Sequence, residues 1–200
     1  MLARVLITAG MIWTVCAGSP AIASLFVTDL VDGANPLPID GNQAWPGQLG
    51  DDFTVNASFI SITSIGVFDD DGDGTFSDLV WQLFNVQTGV LIHQEVVAAS
   101  GARLPGSAIE DNYIWETLAV PLLLPGGATY SAVAYGFNST DENFNTNFDL
   151  ANLDVVFNTA GLTGAGGRYS SPVFNPLVLP QNGAGNSASV QPYNFGAASF

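Results

Sequence analysis

The apolar residues of this chain come in short runs, and the runs are separated by turn-forming groups. Asp40-Gly41, Pro46-Gly47, Thr88-Gly89 and Pro125-Gly126-Gly127 are examples. Glycine reaches positive φ freely and proline fixes φ, so such groups reverse the chain cheaply. With 22 glycines and 11 prolines, this spacing predicts many short strands rather than helices. The 48% of hydrophobic residues is enough for a sizeable core. The expected fold is therefore all-β, a two-sheet antiparallel β-sandwich of jelly-roll-like form.

Individual strands follow from the two-residue period. Ile60 and Ile62 share one face, whereas Ile65 and Val67 have the opposite parity, so a bulge is expected near Ser64. Leu79 to Val86 is apolar on both parities, as a central strand covered on both faces would be. Gln87-Thr88-Gly89 then turns the chain into a partner strand at Val90 to Ala98. Further strands are expected at Tyr113 to Leu124, Thr129 to Phe137 and Leu153 to Phe157, with a closing strand within Tyr193 to Phe200. Leu25 to Gly50 reads as a turn-rich entry segment, Asn138 to Asn147 as an acidic loop, and Gly161 to Gly167 as a flexible glycine-rich connection.

The first 23 residues read as an export signal. Arg4 is followed by a mostly apolar run from Val5 to Val15, then Ser19-Pro20 and the small-x-small group Ala21-Ile22-Ala23. Cleavage before Ser24 leaves residues 24–200 as one domain. The apolar run is shorter than the roughly 20 residues that span a bilayer. Cys16, the only cysteine, falls in this segment, and Trp13-Thr14-Val15 before it is a poor lipidation signal. The exported chain would thus have no disulfide to stabilise it. All 18 acidic residues follow the signal, against Arg103 and Arg168 alone. Such a chain repels nucleic acid and anionic membranes and suits a cation-bearing exterior.

One motif carries definite chemistry. Asp69-Asp70-Asp71-Gly72-Asp73-Gly74 contains D-x-D-x-D-G, in which alternate carboxylates can converge on a hard cation above a glycine turn. The expected metal ligands are Asp69, Asp71, Asp73 and Asp78, holding a structural Ca2+. Val80 stands where an EF-hand places its glutamate, and the flanks read as strands, so the match to a helical EF-hand is incomplete. The alternative is a solvated acidic turn.

No catalytic constellation stands out. His93 is the only histidine, no G-x-S-x-G occurs, and the chain is read as not an enzyme. Glu95, Glu110, Glu116 and Glu142 are the residues from which a glycosidase pair could be drawn. Among the tryptophans, Trp81 reads as core, Trp115 is undecided, and Trp45, in a loop between Ala44 and Pro46, is the candidate ligand-stacking residue.

Several of these segments resemble a family of bacterial exported domains often found in proteins that carry the PEP-CTERM sorting signal. The similar elements are Asp52-Phe53-Thr54-Val55, Gly66-Val67-Phe68-Asp69 with Gly72-Asp73-Gly74, Thr88-Gly89-Val90-Leu91, Leu124 to Tyr130, and Tyr193 to Phe200. The resemblance implies an exported bacterial β-sandwich and transfers no catalytic residue. The sorting signal itself is absent, which points to free secretion. The functional expectation is a secreted, non-catalytic extracellular or cell-surface protein that binds polysaccharide. Alternatives are a purely structural or adhesive matrix protein, and a carboxylate-dependent glycoside hydrolase.

Overall fold

The computed structural model describes residues 25–32, 38–106, 108–146, 153–158, 160–181 and 194–200. The export signal at 1–23 lies outside the described residues. Ten strands follow in chain order: β1 Val27–Asp32, β2 Leu49–Val55, β3 Phe59–Phe68, β4 Leu79–Asn85, β5 Leu91–Val97, β6 Tyr113–Pro125, β7 Thr129–Tyr135, β8 Leu153–Phe157, β9 Leu162–Tyr169 and β10 Ala198–Ser199. Single 3-10 turns lie at Asp70–Gly72 and Ile109–Asn112.

The strands form antiparallel sheets packed as a β-sandwich, as the turn spacing predicts. One sheet has five strands in the order β5-β4-β7-β2-β9, and the second has three in the order β10-β3-β6. A ribbon of β1 and β8 adds a third, two-stranded unit that the sequence did not suggest. The buried core includes Phe53 and Val55 from β2, Ile62, Ile65 and Val67 from β3, and Leu79, Trp81 and Leu83 from β4. Fully burying one such side chain stabilises the fold by about 1.5–3 kcal/mol relative to exposure. Phe26 stacks on Phe200 with ring centroids 4.7 Å apart, and both rings reach Phe53. This cluster joins the two described ends of the chain to β2.

The expected hairpin is β4–β5, with Leu79 opposite Val97. The expected bulge is also present. Ile62 pairs with Leu122 and Ser64 with Thr117, so Thr63 stands opposite a four-residue excursion of β6 that contains Pro121. Proline cannot donate to a ladder and is tolerated at a bulge.

Two segments differ from expectation. Gly161 to Gly167 is not a loose connection: Leu162–Tyr169 is the edge strand β9, laddered along β2. Its glycines have poor strand propensity, but β2 supplies a template and Gly166 takes φ 97° at a bulge. The entry segment contains β1, which pairs with β8 and so depends on a partner more than a hundred residues away.

A strap from Ser170 to Gln181 crosses the outer face of the five-stranded sheet. There Leu179 packs on Phe84 and Val133. The Pro176 carbonyl accepts from Gln82 at 2.7 Å, and the Pro180 carbonyl accepts from Arg168 at 2.8 Å. Arg168 also forms a buried pair with Asp52, with bonds of 2.8 and 2.5 Å. Both sides of β4 are thereby covered, which explains why its two parities are both apolar.

Candidate functional site

The aspartate loop follows directly from the end of β3. Asp69 is fully buried and turns inward. Its carboxylate pairs with Arg103 at 2.5 and 2.9 Å and accepts the Gly74 N–H at 3.0 and 3.2 Å. Arg103 in turn donates to the carbonyls of Asp111 and Tyr113. Buried Asn112 bonds the backbone of Ile39 in both directions and reaches the Asp69 carbonyl. Asp69 therefore anchors the loop to the Ile109–Asn112 turn, and its oxygens are already engaged by protein donors.

Asp78 is exposed and accepts the Ala99 N–H at 2.9 Å, beyond the end of β5. The four aspartates named from spacing thus do not gather at one point. The structure instead brings together Asp40, Asp70 and Asp71, each offering an oxygen within 4.8 Å of the others. Asp70 accepts the N–H groups of Gly41 and Glu142 and so ties three loops together. Asp71 sits in the left-handed region at φ 63°, which places its carboxyl against Asp40.

A hydrogen bond shared with Asp40 pushes the Asp71 carboxyl up to about 7. Partial burial and the negative charges of Asp40, Asp70 and Asp73 add to the effect. Two carboxylates this close cannot both ionise without a proton or a cation between them. Asp73 contributes its charge to this group, while its carbonyl accepts the Arg103 N–H. In the sequence Asp40-Gly41 reads only as a turn, and the 30 residues between Asp40 and Asp70 give no cue to their meeting.

A second feature surrounds Trp45. Its indole N–H donates to the Ser170 carbonyl at 3.1 Å, and its ring meets Tyr169 edge-on at 6.2 Å. Gly47 permits this seat, because a Cβ there would lie 2.6 Å from the indole nitrogen. Beside Trp45 is a pocket of about 200 Å³ lined by Gln43, Leu49, Asn145, Tyr169 and Phe195. Isolated bridges from Gln43 to Asn143 and from Asn145 to Phe195 bring its loops together. The Asn145 amide donates to the Gln43 side-chain carbonyl at 3.1 Å. Asn145 is 6% exposed, and its own side-chain oxygen has no partner among the described residues. Among the described residues, no charged side chain lines this pocket. An aromatic wall with amide groups and no charge is suited to a neutral, hydroxyl-bearing ligand.

The remaining candidates fall elsewhere. Trp81 is core, its indole N–H bonded to the Ser199 carbonyl. His93 lies on the edge strand β5 beside Glu95 at 3.4 Å. Trp115 and Glu110 line a larger groove alongside β3. Comparison with protein-family models, curated proteins and solved structures finds no match to this chain.

Proposed function

We propose that this protein is an exported, non-catalytic β-sandwich that binds neutral polysaccharide outside the cell through the pocket beside Trp45. The observation that carries the reading is that pocket's lining: an indole, a phenol and two side-chain amides, one with a buried unpartnered oxygen. Indole faces suit the apolar faces of sugar rings, and amides suit their hydroxyls. The volume of about 200 Å³ is compatible with one sugar unit rather than a long groove-bound chain. Hydrolysis would require two carboxyl groups flanking the bond to be cut. No carboxylate lines this pocket among the described residues, which favours binding over cleavage. The signal-like segment at 1–23, the acidity and the resemblance to exported bacterial domains support secretion.

Calcium enters the proposal as a structural cofactor, with Asp40, Asp70 and Asp71 as its ligands in place of the set named from spacing. These carboxylates are hard oxygen donors, and a divalent ion would relieve their repulsion. The ion would stiffen the loops and take no part in sugar contact. A second reading, a structural or adhesive matrix protein, draws on the same cluster, since it joins three loops.

A glycan array separates these readings. The first predicts binding to neutral glycans that Trp45→Ala abolishes and Trp115→Ala leaves intact. A blank array would favour the matrix role, and release of sugar from a bound polysaccharide would favour a hydrolase.

A further inference from the structure

We propose that the open edge of β3 accepts an extended peptide strand from a partner protein, added antiparallel to β3 in continuation of β10. The basis is a groove of about 760 Å³ with largely apolar walls, distinct from the Trp45 pocket. Five consecutive β3 residues, Ile60 to Ser64, line it. Successive strand residues point to opposite faces, so one groove can meet all five only along the strand edge. That edge is not the one facing β6, because no residue of the β6 excursion opposite Thr63 lines the groove.

On the groove side, β10 covers β3 only at Gly66 and Val67. Among the described residues, no strand pairs with this edge from Phe59 to Ile65. Phe200, directly after β10, lines one end of the groove. An incoming strand would therefore extend an existing ladder rather than start a new one, which lowers the cost of ordering it. The five residues at about 3.3 Å each give a slot of roughly 17 Å, long enough for five or six residues.

Ile60, Ile62 and Leu162 give the groove an apolar lining that suits apolar side chains of the guest. Charge selects its leading end. Among the described residues, Glu110 is the only ionisable one lining the groove, and it lies with Trp115, whose ring rests over Gly66. A guest running in the β10 direction enters beside Gly66, so its N-terminal residue should be lysine or arginine, able to pair with Glu110 and stack on Trp115. The partner chemistry is thus an extended, alternating apolar segment with a basic start.

The test uses a fluorescein-labelled peptide of six residues, arginine followed by alternating valine and threonine, titrated with the secreted protein and read by anisotropy. Saturable binding is expected. A peptide with proline at its central position should bind at least tenfold more weakly, because it cannot complete the ladder. Thr63→Pro removes the backbone donor of a groove-lining β3 residue that has no β6 partner, and should cause a similar loss. Ser61→Trp fills the slot without altering the edge backbone and should also abolish binding. Failure of the parent peptide to bind, or equal binding of the proline peptide, overturns the proposal. A dimer in sedimentation that Thr63→Pro dissolves would also overturn it, assigning the edge to a second copy of this chain.

Discussion

At the residue scale, the aspartates of one short motif have separate fates that spacing could not reveal. Asp69 is claimed by Arg103, which lies 34 positions away. Losing either partner leaves a buried charge or strands the Gly74 N–H. Asp69→Ala is therefore expected to destabilise by about 1–3 kcal/mol, a range discounted because the Arg103 side chain is 35% exposed. The loss should be the same with and without calcium in chemical denaturation. Asp71 behaves differently. Its carboxyl sits at about 7 in the folded chain, above the ordinary 3.8. A carboxyl raised on folding stabilises while protonated, fully so below the unfolded value, and the gain is lost as pH rises through the folded one. In chelator, melting temperature should fall between about pH 4 and pH 7, and Asp71→Asn should flatten the fall. Calcium should restore the lost degrees at neutral pH, whereas Asp40→Ala and Asp71→Ala should not respond to it. An unchanged melting temperature in millimolar calcium would remove the metal from the account.

At the element scale, legibility followed how local each signal was. The β4–β5 hairpin, strand β7 and the bulge near Ser64 are written in neighbouring residues, and the structure holds all three. Strand β9 was hidden because its glycines signal flexibility locally, while the ladder that orders them comes from β2. Strand β1 was hidden for the same reason, its partner being β8. Gly166 tests this view. Its φ of 97° disfavours any β-branched side chain, so Gly166→Val should cost about 1–3 kcal/mol of stability, read by urea unfolding. The strap offers a further test. Arg168 pairs with Asp52 and holds the Pro180 carbonyl, all three buried. Arg168→Ala should destabilise by about 3–5 kcal/mol, because it leaves the Asp52 charge buried and alone.

At the scale of the whole molecule, a sandwich without cysteine in its described residues relies on its apolar core and its polar ties. Net charge works against compaction here, and cations in the surrounding solution would screen it. The candidate site was legible only in part. Trp45 could be picked out as a loop aromatic, but its neighbours Asn145 and Tyr169 are a hundred or more residues distant and carried no motif. The larger groove was invisible in the sequence, because it arises from a strand edge that no described strand pairs with rather than from any residue pattern.

The most direct test of the central claim is calorimetric titration of the calcium-treated protein with the neutral oligosaccharide that binds best on an array. Saturable one-to-one binding is predicted, weakened at least tenfold in Trp45→Ala, about 1.4 kcal/mol, at a temperature where the variant is still folded. Equal heats from the wild-type protein and the variant would contradict the assignment of this pocket.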